Sequence, residues 1–232
     1  MQTLKEFQKT WVNTEQHTKF IHESFCELVN NDPKLKAHRD FVESHGYGFG
    51  ERSFHWMWKL ILDSIDNDVP NLLEIGVYKG QVLSLWQILK SQAMITGITP
   101  LSTDGGMADR DYFKDIADLH IAFNLPYMPV ILKYRSDNPE AIKFVSAYEF
   151  DVIYIDGGHT KPEAKFDIIN YSPLVKKGGY LVIDDCACDI KHPFGYFMGI
   201  DDVCKAVEET MTNNPEWEFI GSVVHNKIWR KI

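Results

Sequence analysis

From Phe20 the apolar residues fall at Phe20, Ile21, Phe25, Leu28 and Val29, the stripe of a helix with one buried face. Asn30-Asn31-Asp32-Pro33 stops it. A glycine-punctuated break, Ser44-His45-Gly46-Tyr47-Gly48-Phe49-Gly50, precedes a second helical pattern at Phe54, Trp58, Ile61, Leu62 and Ile65, which ends near Asp66-Asn67-Asp68. The opening third of the chain therefore reads as helical.

After Pro70 short apolar runs alternate with helical stretches, the rhythm of βα units that build a parallel sheet. Strands are predicted over Asn71 to Val77, Ala93 to Thr99, Pro129 to Tyr134, Asp151 to Asp156 and Gly179 to Asp184. Helices are predicted around Val82 to Lys90, Arg110 to Phe123, Pro139 to Ala147 and Pro162 to Leu174. Lys176-Lys177 reads as a solvated helix end, favourable to the dipole. A helix from Ile200 to Met211 and two strands, Glu216 to Val224 and Lys227 to Ile232, around the turn His225-Asn226 close the chain. The pattern is an α/β, doubly wound sheet, whose ligands bind beyond the carboxyl ends of the strands. The terminal hairpin disfavours a nicotinamide-dinucleotide fold, which continues with parallel strands.

At 232 residues, with 44% hydrophobic and 25% charged residues, the chain has the balance of one globular domain. Residues 1–68 read as a helical extension, a lid over the site or a dimer contact, and residues 69–232 as the core. A formal net charge of -9 with scattered Lys and Arg argues against nucleic acid as a partner. No apolar run approaches the ~20 residues that span a bilayer, and Met1-Gln-Thr-Leu-Lys-Glu-Phe7 lacks the order of a signal peptide. A cytoplasmic protein without a membrane partner is expected, and a homo-oligomer is left open. The four cysteines, Cys26, Cys186, Cys188 and Cys204, do not form the pattern of a disulfide framework. Cys186-Ala-Cys188 with His192 departs from zinc spacing, so buried or loop thiols are the expectation. Trp56, Trp58 and Trp86 fall in predicted helices and are expected in the core.

The first strand runs into Leu73-Glu74-Ile75-Gly76-Val77-Tyr78-Lys79-Gly80, an acid before a glycine turn. Glycines there either admit a ligand close to the backbone or serve the turn's own sterics. The spacing is not the Gly-x-Gly-x-x-Gly of a pyrophosphate loop. It resembles the first motif of class I S-adenosylmethionine-dependent methyltransferases, in the Glu-x-Gly-x-x-x-Gly form of small-molecule O-methyltransferases. The resemblance implies a Rossmann-like seven-stranded sheet of order 3-2-1-4-5-7-6 with the last strand antiparallel. It also implies that Glu74, Gly76 and Gly80, with Tyr78 on the same turn, surround the amino-acid part of S-adenosylmethionine. The second strand departs from the family in ending Gly97-Ile98-Thr99-Pro100 rather than in an acid, so Thr99 or Asp104 is the candidate for the ribose. Arg135-Ser136-Asp137 resembles the turn that touches the adenine, through Ser136 and Asp137, and is also ordinary helix-start chemistry.

Asp151-Val-Ile-Tyr-Ile-Asp156-Gly-Gly-His159 and Gly179-Tyr-Leu-Val-Ile-Asp184-Asp185 place acids at the ends of two successive strands. Parallel strands end on one side, so Asp156, Asp184 and Asp185 are expected to converge beside the cofactor. Close carboxylates repel unless a cation, a proton or hydrogen bonds compensate. The expected metal ligands are therefore Asp156, Asp184 and Asp185 around Mg²⁺ or a similar divalent cation, with helix capping as the alternative. The stretch resembles the metal-dependent O-methyltransferases of the bacterial sugar and natural-product branch. The resemblance implies a small hydroxylated acceptor, with Asp156 and His159 as catalytic residues and His159 as the base. His45, His55 and Tyr47 are further candidates for the pocket wall. A metal-independent methyltransferase acting on another atom, a dinucleotide oxidoreductase and a non-catalytic cofactor-binding module are the rival readings.

Overall fold

The structure, a computed structural model, describes residues 3–101 and 112–232. Helices α1 (Leu4–Thr10), α2 (Glu15–Asn31), α3 (Pro33–His45) and α4 (Ser53–Asp63) come first. Their ends follow from local chemistry. Thr3 and Glu6 form a capping box on α1, and the Thr14 side chain caps α2. Asp32 ends α2 and then caps α3 by accepting from the Lys34 and Leu35 amides at 3.0 and 3.1 Å, with Pro33 in the first turn. Gly46, at φ +64°, closes α3 in the left-handed conformation that glycine adopts without strain.

The remaining elements are β1 (Asn71–Ile75), α5 (Gln81–Leu89), β2 (Met94–Ile98), α6 (Tyr112–Ala122), β3 (Val130–Leu132), α7 (Pro139–Val145), β4 (Phe150–Ile155), α8 (Lys161–Tyr171), β5 (Val175–Ile183), α9 (Asp201–Thr210), β6 (Trp217–Val223) and β7 (Asn226–Lys231). The strands form one sheet in the order β3-β2-β1-β4-β5-β7-β6. Pairing is parallel from β3 to β5, and β7 runs antiparallel to both β5 and β6. This is the Rossmann-like methyltransferase order expected from the resemblance.

Successive strand residues face opposite sides of the sheet. Leu72, Val152, Val182 and Ile228 join one buried cluster, while Leu73, Ile153, Leu181 and Trp229 join the other. The second cluster is covered by α7, α8 and α9 through Ala141, Val145, Ile168 and Val207. The first is covered by α5 and by the amino-terminal helices, whose Phe7, Ile21, Phe25 and Val29 are buried in it. Each such side chain contributes about 1.5–3 kcal/mol of burial, so the helical extension is one layer of the fold. Trp58 and Trp86 are fully buried and meet edge to face at 5.0 Å, as expected of core residues, and Trp56 is partly buried beside them.

Two expectations are corrected. Lys176 and Lys177 do not end a helix: a 3₁₀ turn at Ser172–Leu174 closes α8, and β5 already begins at Val175. A register irregularity between Phe150 and Val152 accommodates this early start, and the Lys176 ammonium donates to Asp151 at 2.8 Å. The cysteines are not all unpaired. Cys188 and Cys204 form a disulfide, because the loop after β5 returns along α9 and brings their Cα atoms to 6.0 Å. Cys26 and Cys186 are free thiols, and with Cys188 bridged the Cys186–Cys188–His192 metal alternative is removed. Among the described residues no helix is long and apolar enough to cross a membrane.

Candidate active site

The carboxyl ends of β1, β4 and β5 open into a cleft of about 300 Å³. Parallel pairing continues just past the strand ends, with the Asp156 amide donating to the Ile75 carbonyl at 2.8 Å and the Asp184 amide to the Ile155 carbonyl at 2.9 Å. The register Ile155↔Ile183 thus sets Asp156 beside Asp184, as the sequence predicts. Asp185 then turns into the left-handed region at φ +52°, a conformation that costs a non-glycine residue about 1 kcal/mol or more. Its carbonyl accepts from the Ile200 amide at 2.9 Å, which holds the turn. Trp58 of α4 packs edge-on against Tyr154 at 5.1 Å and supports the cleft from below.

Negative charge is concentrated here. Glu74, only 4% exposed, has Oε2 buried without a hydrogen-bond partner, and burial followed by repulsion from Asp156 pushes its pKa well up. Burial, then Asp156 and Asp185, likewise raises Asp184, whose Oδ1 is also buried without a hydrogen-bond partner. Burial raises Asp156, opposed by His159, and raises Asp185 to about 6. The Tyr154 hydroxyl faces Asp156 and Asp184 as a donor and partly offsets this.

Two histidines face the acids. His159, on the loop before α8, holds Nε2 3.4 Å from Asp185 Oδ2 and 3.8 Å from Asp156 Oδ1, with half its side chain exposed. Asp156 and then Asp185 raise its pKa against the effect of burial. His225, in the β6–β7 turn, holds Nε2 3.4 Å from Asp184 Oδ1 and 3.8 Å from Asp185 Oδ1. Burial lowers its pKa to about 4, so the approach to Asp184 is that of a neutral imidazole. Ligand atoms of Asp156, His159 and Asp185 lie within 4.8 Å of one another, and so do those of Asp184, Asp185 and His225.

The glycine turn is built as much by packing as by any ligand. Gly76 has φ +94°, and a Cβ on it would lie 1.7 Å from the Asp156 carbonyl oxygen. Gly80 has φ +83°, and its Cβ would meet Ile116 at 2.9 Å. Tyr78 lines the cleft and stacks on Phe49 at 5.1 Å. The break noted between the first and second helical patterns becomes the cleft's upper wall: Gly48 lies so close to Gln81 that any side chain on it would collide with Oε1. The Lys79 ammonium donates to the Gly46 carbonyl at 2.6 Å and ties this wall to the turn.

Other predicted positions fall elsewhere. Thr99 is buried, with its hydroxyl accepting from the Leu101 amide at 3.3 Å, and it does not line the cleft. Ser136 and Asp137 also lie outside the cleft lining. Ser136 receives the Tyr171 hydroxyl on its carbonyl at 2.5 Å, and Asp137 pairs with Arg135 at 3.4 Å. Asp104 is outside the described residues. Of the pocket-wall candidates, Tyr47 lines the cleft but His45 and His55 do not. His45 stacks on Phe41 at the surface, and His55 is buried against His38 Nδ1 at 2.8 Å. A larger cavity of about 390 Å³ lies under β2 and β3, but among the described residues no acid, histidine or cysteine lines it. Catalytic chemistry therefore belongs to the acidic cleft.

Sequence reasoning missed His225, Phe54 and Phe197, which also line the cleft, and the buried Asp167 of α8. The motif Asp184-Asp185 was visible, but the histidine that meets it comes from a distant hairpin.

Residues 73–186 match the family described as "Methyltransferase domain". That segment holds the glycine turn and all three aspartates. Residues 73–186 are a methyltransferase domain, and with the sheet order they support an S-adenosylmethionine-dependent methyltransferase. In fold, the methyltransferase is similar to a candidate caffeoyl-CoA O-methyltransferase from Staphylococcus aureus, with TM-score 0.64 and 16% identity over 91% of this chain and 99% of that one. It is similar as well to an O-methyltransferase from Bacillus cereus in complex with SAH, with TM-score 0.57 and 13% identity over 85% and 89% of the two chains. A TDP-rhamnose 3′-O-methyltransferase of calicheamicin biosynthesis aligns with TM-score 0.57 and 12% identity over 96% of this methyltransferase and 97% of that one. An uncharacterised protein of Acanthamoeba polyphaga mimivirus is 26% identical over 165 residues, 68% of this chain and 71% of its own.

Proposed function

We propose that this methyltransferase methylates a hydroxyl oxygen of a small acceptor carrying neighbouring hydroxyls, a sugar before a phenolic diol, with a divalent cation in the acidic cleft. The observation that carries the reading is that Asp156, Asp184, Asp185 and His159 line one cleft, where Asp185 groups closely with Asp156 and His159 on one side and with Asp184 and His225 on the other. The solved structures named for transfer to a rhamnose 3′-oxygen and to a caffeoyl-CoA oxygen support an oxygen acceptor.

The lining fits such an ion: Asp185 shares one close group of ligand atoms with Asp156 and another with Asp184, and Asp184 Oδ1 is buried with no hydrogen bond. Asp156, Asp184 and Asp185 would hold it, and when bound it would supply a positive charge that favours the ionised form of an acceptor hydroxyl. S-adenosylmethionine, when bound, supplies a methyl group made electrophilic by its sulfonium.

The chain's own residues supply the rest. Glu74, buried with a free oxygen facing the cleft, receives the ammonium of the methyl donor. The Tyr47 to Gly50 wall and Tyr78 screen the reacting atoms from water and orient the donor against the acceptor. His159, at the open side of the cleft, takes the acceptor's proton on Nε2. Aromatic rings at the rim, Phe49, Tyr78 and Phe197, offer faces against which a sugar or phenol ring can pack.

The test is turnover with S-adenosylmethionine across sugar and phenolic diols, before and after chelation, with the methylated atom assigned by mass spectrometry and NMR. Methyl on oxygen, lost on chelation and restored by a divalent ion, is the expected result. Full turnover by the metal-free enzyme, or methyl on nitrogen or carbon, would overturn it.

A further inference from the structure

We propose that His225 is a nitrogen ligand of the cleft's divalent cation, which makes the site a mixed imidazole and carboxylate site that prefers a transition-series ion to Mg²⁺. The inference rests on the cation reading above and goes beyond it in naming a ligand from a third part of the fold and the class of ion.

His225 sits in the turn between β6 and β7, and β7 lies beside β5 in the sheet. Its carbonyl accepts from the Cys186 amide at 3.0 Å, so the turn is fastened to the segment that carries Asp184 and Asp185. The imidazole is 7% exposed and clamped edge to face between Phe54 at 4.8 Å and Phe197 at 5.0 Å. Between these two rings Nε2 is turned toward the acids, with His192 as a further polar neighbour of the imidazole.

The distances in that direction are those of ligands around a shared ion. Hydrogen bonds between nitrogen and oxygen run about 2.7–3.2 Å, and Nε2 lies 3.4 and 3.8 Å from the nearest oxygens of Asp184 and Asp185. With bonds of about 2.0–2.2 Å, two ligands of one ion stand between about 3 and 4.2 Å apart. Asp184 Oδ1, the oxygen that Nε2 faces, is buried with no hydrogen-bond partner. A buried, unpartnered carboxylate oxygen faced by an imidazole nitrogen from beyond hydrogen-bond range is a costly arrangement unless something sits between them.

The two histidines then divide the work. His159 is half exposed and faces the acceptor side, whereas His225 is enclosed and reaches the acids from the protein side. An imidazole among carboxylates shifts preference along the Irving–Williams series, from Mg²⁺, which favours oxygen alone, toward Mn²⁺, Fe²⁺, Co²⁺ and Ni²⁺.

The experiment is a titration of the metal-free, full-length chain, saturated with S-adenosylhomocysteine, with Co²⁺ and with Mg²⁺. Calorimetry gives affinity, and the visible absorption of Co²⁺ reports nitrogen ligation. His225→Phe, which keeps an aromatic ring in the clamp, His225→Asn and Asp185→Asn are compared with the parent. The parent should bind Co²⁺ more tightly than Mg²⁺. Both His225 variants should lose at least the roughly 10- to 100-fold in Co²⁺ affinity that even an outer-shell partner is worth, with shifted bands and a smaller loss for Mg²⁺. An unchanged Co²⁺ spectrum and affinity in both, with binding abolished by Asp185→Asn, would overturn the proposal and leave the cation reading standing. A parent that binds neither ion would remove both. Should the variants unfold, long-range ¹H–¹⁵N spectra of the parent's imidazoles decide: Zn²⁺ should move the His225 Nε2 signal, and an unmoved signal counts against ligation.

Discussion

Gly76 lies so close to Asp156 that a Cβ on it would stand 1.7 Å from the Asp156 carbonyl oxygen. The first motif and the first metal-ligand candidate are thus packed against each other through backbone, before any ligand enters. Gly76→Ala should lower stability by more than about 1 kcal/mol, since it adds both a clash and a strained φ of +94°. Denaturant melting checks this, and an alanine variant with parental stability would show the backbone contact to be unimportant.

Glu74 separates ligand binding from folding at the same turn. Its replacement by Gln keeps the shape and removes the charge, and Glu74 is buried with one oxygen unpartnered. The variant should fold at least as stably as the parent, because a buried charge is relieved. Its affinity for S-adenosylmethionine should fall by roughly 10- to 100-fold, the worth of a hydrogen bond to a charged group. Calorimetry with S-adenosylhomocysteine measures it, and unchanged affinity would place the ammonium elsewhere.

How far these positions can be read before folding depends on how local their causes are. The strands after Pro70 announce themselves by apolar runs, and Asp156 meets Asp184 simply because parallel strands end on one side. The stop at Asp32-Pro33 and the break around Gly46 are equally legible, but that α3 fills the interval between them is not. His225 is not, because it reaches the acids only through the β5–β7 pairing of a late hairpin. Cys188 and Cys204 look unrelated in sequence and meet only when the loop after β5 doubles back along α9. Gly76 suits a ligand turn and a steric contact equally well in sequence, and only the distance to Asp156 shows that packing alone requires it.

Asp167 gives a pH dependence of stability. The side chain is buried beside Gly157, and burial pushes its pKa to about 7, with a Ser136 contact drawing it down only in part. In the unfolded chain an aspartate titrates near about 3.9. Between these values the folded state holds a proton that the unfolded state has released, so stability falls as pH rises, by up to about 1.4 kcal/mol per pH unit. Above pH 7 the full penalty is present. Asp167→Asn removes this proton-linked loss, so the variant should gain on the parent steadily from pH 4 to pH 7. Urea melts at pH 5 and pH 8 test the sign, since the cleft acids contribute equally to both proteins.

The Cys188–Cys204 bridge closes a loop with a sequence separation of 16. A loop of about that size stabilises a fold by ~3 kcal/mol through restriction of the unfolded chain. Reduction should therefore lower the melting temperature, and Cys204→Ala should reproduce the effect without reductant. The same segment carries Asp185, whose carbonyl anchors Ile200 at the start of α9, so cation affinity should weaken along with stability. Equal melting curves with and without reductant would show that the bridge adds nothing to the fold.

His159 is where the proposed chemistry is most exposed to test. Its Nε2 stands 3.4 Å from Asp185 and 3.8 Å from Asp156, near enough to share their field and open enough to reach an acceptor. His159→Ala removes the base but none of the three carboxylates, so affinities for the divalent ion and for S-adenosylhomocysteine should stay near parental. Turnover should fall by roughly 10²- to 10⁴-fold, the usual contribution of a positioned base. The deficit should narrow as pH rises, because hydroxide and solvent then take over a proton that the alanine variant cannot accept. His159→Gln should not rescue turnover, since an amide preserves hydrogen bonding without basicity. A merely structural histidine would behave in the opposite way, with the glutamine variant recovering and the pH profile of the alanine variant running parallel to the parent.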